Sequence, residues 1–392
     1  MSRLLVRGGH VVTVAGTPPR PADVRVRAGV VAEVGTDLRP DGEPEVDAAG
    51  ALVTPGLVDL QVNGAAGADL TADPTTLPAV SAAMARHGVT TFLPTLVTCA
   101  PDARAAALAT PRDDLPGARA PGWHVEGPML APDARGAHDE RWLRSPSREL
   151  VAGWAPATGA LVVTLAPELP GAPEVIRLLA DRGVVVSVGH TRADVADVAR
   201  AVAAGATAVT HLFNAMPSLH HRHPGPVGAV LGGSDLVAGL VVDGHHVDDL
   251  VVAAVWRAIG PDRLILVSDT TAALDLDPGP AVLGGRAVVV AADRSVRLVD
   301  DPGVLAGSGV GLDDCLWRLA AATGRPVWEV LPAATTVPAG LLGRTDLGAL
   351  TAGRRGDLVV WRERRPAVTV IGGRVITGDV VTGPAVTGEV AG

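Results

Sequence analysis

The residues best suited to chemistry in this chain stand at the ends of apolar, β-branched runs. Ala206-Thr207-Ala208-Val209 leads into Thr210-His211-Leu212-Phe213-Asn214-Ala215-Met216-Pro217, with Arg222 a few residues on. Three further runs end in His124-Val125-Glu126-Gly127-Pro128, Gly189-His190-Thr191 and Ser268-Asp269-Thr270. One carboxylate and two imidazoles, Glu126 with His190 and His211, suit a divalent transition metal and leave a coordination position for water. An ion there lowers the pKa of its water toward neutrality and makes a hydroxide nucleophile. Asp269 is placed to take the proton and later return it to a leaving group. A lone glutamate is most often a solvated carboxylate; four such groups on four strand ends are a stronger pattern.

Two other strand ends bear on the same site. Asp59-Leu60-Gln61-Val62-Asn63-Gly64 puts Gln61 and Asn63 two apart, the spacing of a metal-binding histidine pair, but neutral carboxamides are poor zinc ligands beside imidazole. We therefore expect one ion, with Gln61 hydrogen-bonding its water and Asn63 behind the ligands or capping the strand. Arg222, in a His-rich loop, and the segment Asp243-Gly244-His245-His246 carry groups that can hold a small anion through charge-assisted hydrogen bonds. The loop histidines match no compact metal motif, and His10 and His87 are read as structural.

These groups need a scaffold that gathers strand ends. The middle of the chain repeats one phrase: an Ala-rich helical run, a glycine, a β-branched strand, a polar residue. Pro78 to Arg86 precedes Gly88, Glu174 to Arg182 precedes Gly183, and Thr191 to Ala204 precedes Gly205. The last helix is expected to start on a capping box at Thr191 and Asp194 and to bury Val195, Val198 and Val202. Strands are expected near Leu57–Val62, Thr90–Leu96, Trp123–Glu126, Leu161–Leu165, Val184–His190, Thr207–His211, Val237–Val242 and Leu264–Asp269. Such alternation means a parallel sheet, and eight strands favour an α/β fold closed as a TIM-like (β/α)₈ barrel, whose chemistry sits where strands end. No G-x-G-x-x-G follows the first of them, which disfavours a dinucleotide fold.

Short strands and turns also occupy both termini: Leu4–Val6, Val11–Val14, Val24–Val26 and Val30–Val34 at one end, Asp357–Trp361 and Ala367–Ile371 at the other. We expect them to pair into a small β-sandwich domain of residues 1–53 and 345–392, flanking a catalytic barrel over 54–344.

Composition fits that plan. The 392 residues are 47% hydrophobic but only 2% aromatic, so Val, Ala and Leu must fill the core. The net charge of −9 and the lack of a basic cluster leave no electrostatic footprint for nucleic acid. Cys99 and Cys315 fit no disulfide framework, the first residues lack a signal-peptide core, and no apolar run suits a bilayer; a cytoplasmic enzyme is expected.

The motifs together resemble the N-acetylglucosamine-6-phosphate deacetylase family of the amidohydrolase superfamily. They are P-G-L-V-D-L-Q-V-N-G at 55–64, H-V-E-G-P at 124–128, G-A-H at 136–138, G-H-T at 189–191, T-H-L-F-N-A-M-P at 210–217, D-G-H-H at 243–246, S-D-T-T-A at 268–272 and L-A-G-S at 305–308. The resemblance implies Glu126, His190 and His211 as metal ligands and Asp269 as the acid–base residue. It implies substrate contacts at Ala137, His138, Asn214, Ala215, Arg222, Asp243, Gly244, His245, His246, Leu305, Ala306 and Gly307, with Arg222 and His246 on a phosphate. It further implies one divalent ion per subunit (zinc first, then iron, manganese or cobalt), a homodimer with the phosphate pocket near its interface, and hydrolysis of the N-acetyl group of N-acetylglucosamine 6-phosphate. The loop after Asp269 and the segment Ala65-Ala66-Gly67 depart from the family's usual wording. The galactosamine epimer or another amide therefore stays open as the substrate, and a barrel without catalysis is disfavoured by the completeness of the four-residue set.

Overall fold

The computed structural model describes residues 2–379. Eight parallel strands, Leu57–Val62, Val89–Leu96, Trp123–Glu126, Ala160–Leu165, Val185–Val188, Ala208–Val209, Val237–Leu240 and Leu264–Leu266, are hydrogen-bonded side by side in chain order. The first and last meet through Asp269 N–H on the Gln61 carbonyl at 3.0 Å and Asn63 N–H on the Thr270 carbonyl at 2.7 Å. The barrel thus closes beside the residues expected to do its chemistry. Helices wrap the outside, and their packing against the strands buries Phe92, Trp123, Leu165, Ile176, Leu240 and Leu316 in one continuous core. A separate inner cluster of Val58, Leu60, Leu93, Val162, Val241, Ile265 and Val267 is packed by Val337 and Leu341 of the short helix Thr336–Leu341. Ridges of Val and Leu do here what aromatics do elsewhere, as burial scales with apolar area rather than ring content.

The strands are shorter at their ends than the sequence suggests. His190, His211 and Asp269 lie just past the last paired residues rather than within strands. The helix before His211 also differs: it runs Val195–Ala204, capped by Asp194, which accepts from Asp197 N–H, and it buries Val198, Ala201 and Ala204. Thr191 instead bonds Glu168 and Ala193, and Val195 is exposed. Small alanines fill the face because two neighbouring helices approach it, which a count of valines does not reveal.

Strands from both ends of the chain join one sheet, ordered Arg374–Thr377, Arg365–Ile371, Leu358–Arg362, Leu52–Pro55, Arg3–Val11, Arg20–Arg27, Val30–Gly35, with Glu45–Asp47 also on Arg3–Val11. Register shifts at Val6/Gly9, Arg25/Val26 and Val360/Trp361 bend it around its own core of Leu4, Val24, Val26, Val53, Val360 and Val370, the terminal β-sandwich. Residues 380–392, which the sequence reading put with this sandwich, lie outside the described residues.

One element was not anticipated. Between barrel strand eight and the helix Leu312–Thr323 stand four antiparallel strands, Gly279–Leu283, Arg286–Val290, Ser295–Leu298 and Leu305–Ser308, around Val288, Val290, Val296 and Leu298. The segment Leu305–Gly307, met in sequence only as a motif, is the last of them. No helix among the described residues is long and apolar enough to cross a membrane.

Candidate active site

The strand ends turn sharply inward. His190, His211 and Asp269 have φ of 48°, 28° and 52°, a left-handed backbone that L-residues adopt at a cost of roughly 1–3 kcal/mol each. The surrounding hydrogen bonds hold them there: Leu212 N–H reaches the Gly239 carbonyl at 2.8 Å and Ser308 N–H the Asp269 carbonyl at 2.9 Å. Gly307 permits that second approach, since a Cβ at its φ of 65° would stand 2.8 Å from the Asp269 carbonyl oxygen.

Three of the four strand ends meet at one oxygen. Glu126 Oε1 lies 3.2 Å from His190 Nε2 and 3.1 Å from His211 Nε2, and the two imidazole nitrogens are 3.1 Å apart. All three residues are buried. His190 Nδ1 sits 2.9 Å from the Ala134 carbonyl, so Nδ1 carries the proton and Nε2 turns a lone pair to the centre. Two imidazole nitrogens and a carboxylate oxygen crowded this closely repel one another unless a cation or proton lies among them. His211 is held with its charge favoured, because Glu126 and Asp269 overcome the opposing effect of burial. Glu126 is likewise kept well below the usual carboxylate range, its burial outweighed by the two histidines. A divalent ion is the chemically natural occupant of such a donor set.

His138 also faces this centre, and ligand atoms of Glu126, His138 and His190 all lie within 4.8 Å of one another. Its tautomer argues for another role. Thr98 N–H donates to His138 Nδ1 at 3.1 Å, so that nitrogen must be bare and the proton resides on Nε2, 3.7 Å from Glu126 Oε2. Burial lowers His138 to about 3, so it stays neutral. His138 therefore offers an N–H donor to the cleft where His190 offers an acceptor. Thr98 escaped the sequence reading, and nothing in its spacing marks it.

Behind the ligands, Gln61 Nε2 donates to Glu126 Oε1 at 3.3 Å, bonding the carboxylate itself. His124 sits deeper, between the Leu60 carbonyl at 3.2 Å and Thr164 Oγ1 at 2.7 Å, and burial brings it down to about 4. Asp269 receives Asn63 Nδ2 on Oδ1 at 2.7 Å. Burial and the nearby Glu126 charge raise it to about 6 when no cation stands between them.

The cluster opens into a cavity of about 490 Å³. Ala137, His138, Asn214, Ala215, His246, Leu305 and Gly307 line it, with Asp133, Arg135, Leu283 and Val304 that the sequence did not single out. His246 Nδ1 is anchored 2.8 Å from Asp243 Oδ2, which also accepts from Ser308 Oγ at 2.9 Å. Asp243, Gly244 and Ala306 lie behind the lining, and His245 turns away to the Asp293 carbonyl at 2.8 Å. Arg222 does not reach the cleft of its own chain; it stands exposed on the loop before the helix Gly225–Leu231.

Comparison with known proteins agrees with this architecture. The model of the amidohydrolase family matches residues 52–376. The chain is 38% identical over 331 residues to the N-acetylglucosamine-6-phosphate deacetylase of Homo sapiens, covering 80% of each chain, and 35% identical over 352 residues to that of Bacillus subtilis, covering 86% of this chain and 88% of the other. A Mycobacterium smegmatis N-acetyl-D-glucosamine-6-phosphate deacetylase variant, solved with N-acetyl-D-glucosamine-6-phosphate, superposes with a TM-score of 0.88 at 30% identity, over 96% of this chain and 100% of that one. The Pasteurella multocida deacetylase gives 0.88 at 28% identity, over 95% and 99%. A barrel closed at Asp269, a buried Glu–His–His centre and these likenesses along most of the sequence have one common reading: the chain belongs to the amidohydrolase family, among the N-acetylglucosamine-6-phosphate deacetylases.

Proposed function

We propose that the chain hydrolyses the N-acetyl amide of N-acetylglucosamine 6-phosphate to glucosamine 6-phosphate and acetate, in amino-sugar catabolism or recycling. The observation that carries this is the meeting of Glu126, His190 and His211 within 3.2 Å, with Asp269 beside them. Those three residues would hold one divalent ion, zinc by first choice, with iron, manganese and cobalt as the other candidates. When bound, the ion supplies Lewis acidity and lowers the pKa of a water. Asp269 takes the proton of the attacking water and delivers it to the amide nitrogen as the C–N bond breaks, so that the amine leaves neutral. Asn63 fixes the carboxylate for both transfers. His138, its proton on Nε2, donates to the amide carbonyl oxygen as negative charge builds there. Ala137, Asn214, Ala215, Leu305 and Gly307 shape the sugar's place, and His246 faces the phosphate. Arg222 is exposed and outside the cleft of its own chain, which supports a reading in which it serves the cleft of a second copy in a homodimer. The same reading divides the chain into a catalytic barrel over 54–344 and a terminal unit of 1–53 with 345–392.

The test is metal analysis of the purified protein joined to acetate release from the two epimeric 6-phosphates. One divalent ion per chain and faster release from the glucosamine compound are expected. Release from neither compound by metal-loaded protein would refute the proposal.

A further inference from the structure

On the outer side of two loops that build the cleft lies a second, smaller cavity of about 250 Å³. Cys99, Arg104, Trp142, Arg144, Ser145 and Ser147 line it together with Pro101 and Leu150, and among the described residues no acidic side chain does. Arg104 is only 8% exposed. Its guanidinium lies 5.3 Å from the Trp154 ring centre and has no hydrogen bond or ion pair among the described residues. The contrast with Arg25, equally buried, is direct: Arg25 is neutralised by Glu43 and Glu33, each at 2.8 Å. A buried cation without a partner costs several kcal/mol, so folded chains pair such groups.

Instead of a carboxylate, Arg104 has a second cation for a neighbour. Arg144 lies close enough that its charge works with burial to lower the Arg104 pKa. Arg144 is stacked 5.8 Å from the Trp142 ring centre and gives only Nη1 to backbone, at the Arg141 and Leu143 carbonyls. The helix Pro101–Ala109 begins at the cavity's edge with no side-chain cap. Two guanidiniums with unused N–H groups, the Ser145 hydroxyl and the Trp142 wall form a pocket rich in donors.

We propose that the Arg104–Arg144 pocket binds a small dianionic oxyanion of the phosphate class, separate from the catalytic cleft. Planar guanidiniums suit phosphate oxygens through paired N–H donors, and the Ser145 hydroxyl adds a further donor. The cavity has room for an organic substituent as well as the phosphate. The site adjoins catalysis: Cys99 follows Thr98, which holds His138, and Trp142 to Ser147 follow His138 in the chain.

Isothermal titration of the full-length protein with inorganic phosphate, and in parallel with glycerol 3-phosphate, tests this. Wild type should show a phosphate site that persists in the His246→Gln variant, whose change is confined to the catalytic cleft. Arg144→Gln, at an exposed position that leaves folding intact, should weaken that site about tenfold or more, as should Arg104→Gln. Tighter binding of the ester assigns a phosphate monoester, and equal or weaker binding assigns the free ion. A single phosphate site that is lost in His246→Gln and unchanged in Arg144→Gln would overturn the proposal, as would no phosphate binding at all.

Discussion

Asn63 Nδ2 donates to Asp269 Oδ1 across 2.7 Å, joining the first barrel strand to the loop after the eighth at the point where the barrel closes. The bond leaves Oδ2 as the free atom of the carboxylate and fixes its direction. Replacing Asp269 by Asn should keep the ion and lower kcat by about 10²–10⁴, the usual worth of a positioned acid–base group. Asn63→Leu should lower kcat by about 10–100-fold with KM and metal content little changed, because an outer partner orients rather than reacts. Steady-state kinetics with metal analysis checks both; an Asn63 variant that loses its ion would move this residue into the ligand set.

The tautomer argument separates His138 from His211. His211→Ala should lose most of the bound ion, whereas His138→Gln should retain it and lose kcat, since Thr98 N–H leaves His138 only a proton to offer. Chelation should abolish activity, and added zinc, cobalt or manganese should restore it. Elemental analysis of the two variants decides; ion loss in His138→Gln alone would reverse the assignment.

What was legible in the sequence was set by local rules. Strand ends carrying Glu126, His190, His211 and Asp269 stand out because β-branched runs, glycine stops and a polar terminal residue recur at barrel spacing. The small sheet over 279–308 also had a signal, the Leu283-Gly284-Gly285-Arg286 hairpin between alternating segments, but the phrase of helix and strand around it masked that signal. The place of Arg222, the Thr98–His138 bond and the aversion of His245 depend on tertiary packing, for which spacing along the chain holds no information.

His87 shows how much a structural histidine can carry. It bridges Asp313 at 2.8 Å and Asp275 at 3.0 Å, and although burial opposes its charge, these two carboxylates raise it to about 10. A histidine raised above its unfolded pKa of about 6.5 stabilises fully below that value, and the contribution fades as pH climbs through about 10. His87→Gln should therefore destabilise at pH 6, by no more than the roughly 3–5 kcal/mol of breaking a fully buried pair, since His87 and Asp275 are partly exposed. Urea unfolding of both proteins near pH 6 and pH 10 should show the gap narrowing at the higher pH; a constant gap would mean His87 acts by shape.

Asp59 behaves in the opposite sense. It is fully buried, its Oδ2 has no partner among the described residues, and burial, reinforced by the Asp269 charge, raises it to about 7. An aspartate raised above its unfolded value stabilises most at low pH and loses that contribution as pH rises through about 7. Asp59→Asn, nearly isosteric and never charged, should change stability by about 1 kcal/mol or less at pH 5 and be the more stable protein at pH 8. Thermal melts at the two pH values check the crossing; a variant that is worse at both would show the ionised carboxylate to be the folded form.

Arg222 offers the sharpest test of assembly. If one chain's Arg222 serves the other's cleft, then Arg222→Gln on one chain and Asp269→Asn on the other damage the same cleft of a mixed dimer. The cleft with intact Asp269 on the Arg222→Gln chain receives its arginine from the Asp269→Asn chain, and is complete. Refolding or co-expressing the two weak variants should then restore activity on the phosphorylated substrate to a sizeable fraction of wild type, with KM returning to normal in the restored fraction. Were Arg222 to swing into its own cleft, every mixed dimer would hold one cleft lacking the arginine and one lacking the aspartate, and no activity would return. Size-exclusion mass measurement on the mixture ties the recovery to dimers, because a monomer cannot complement in this way.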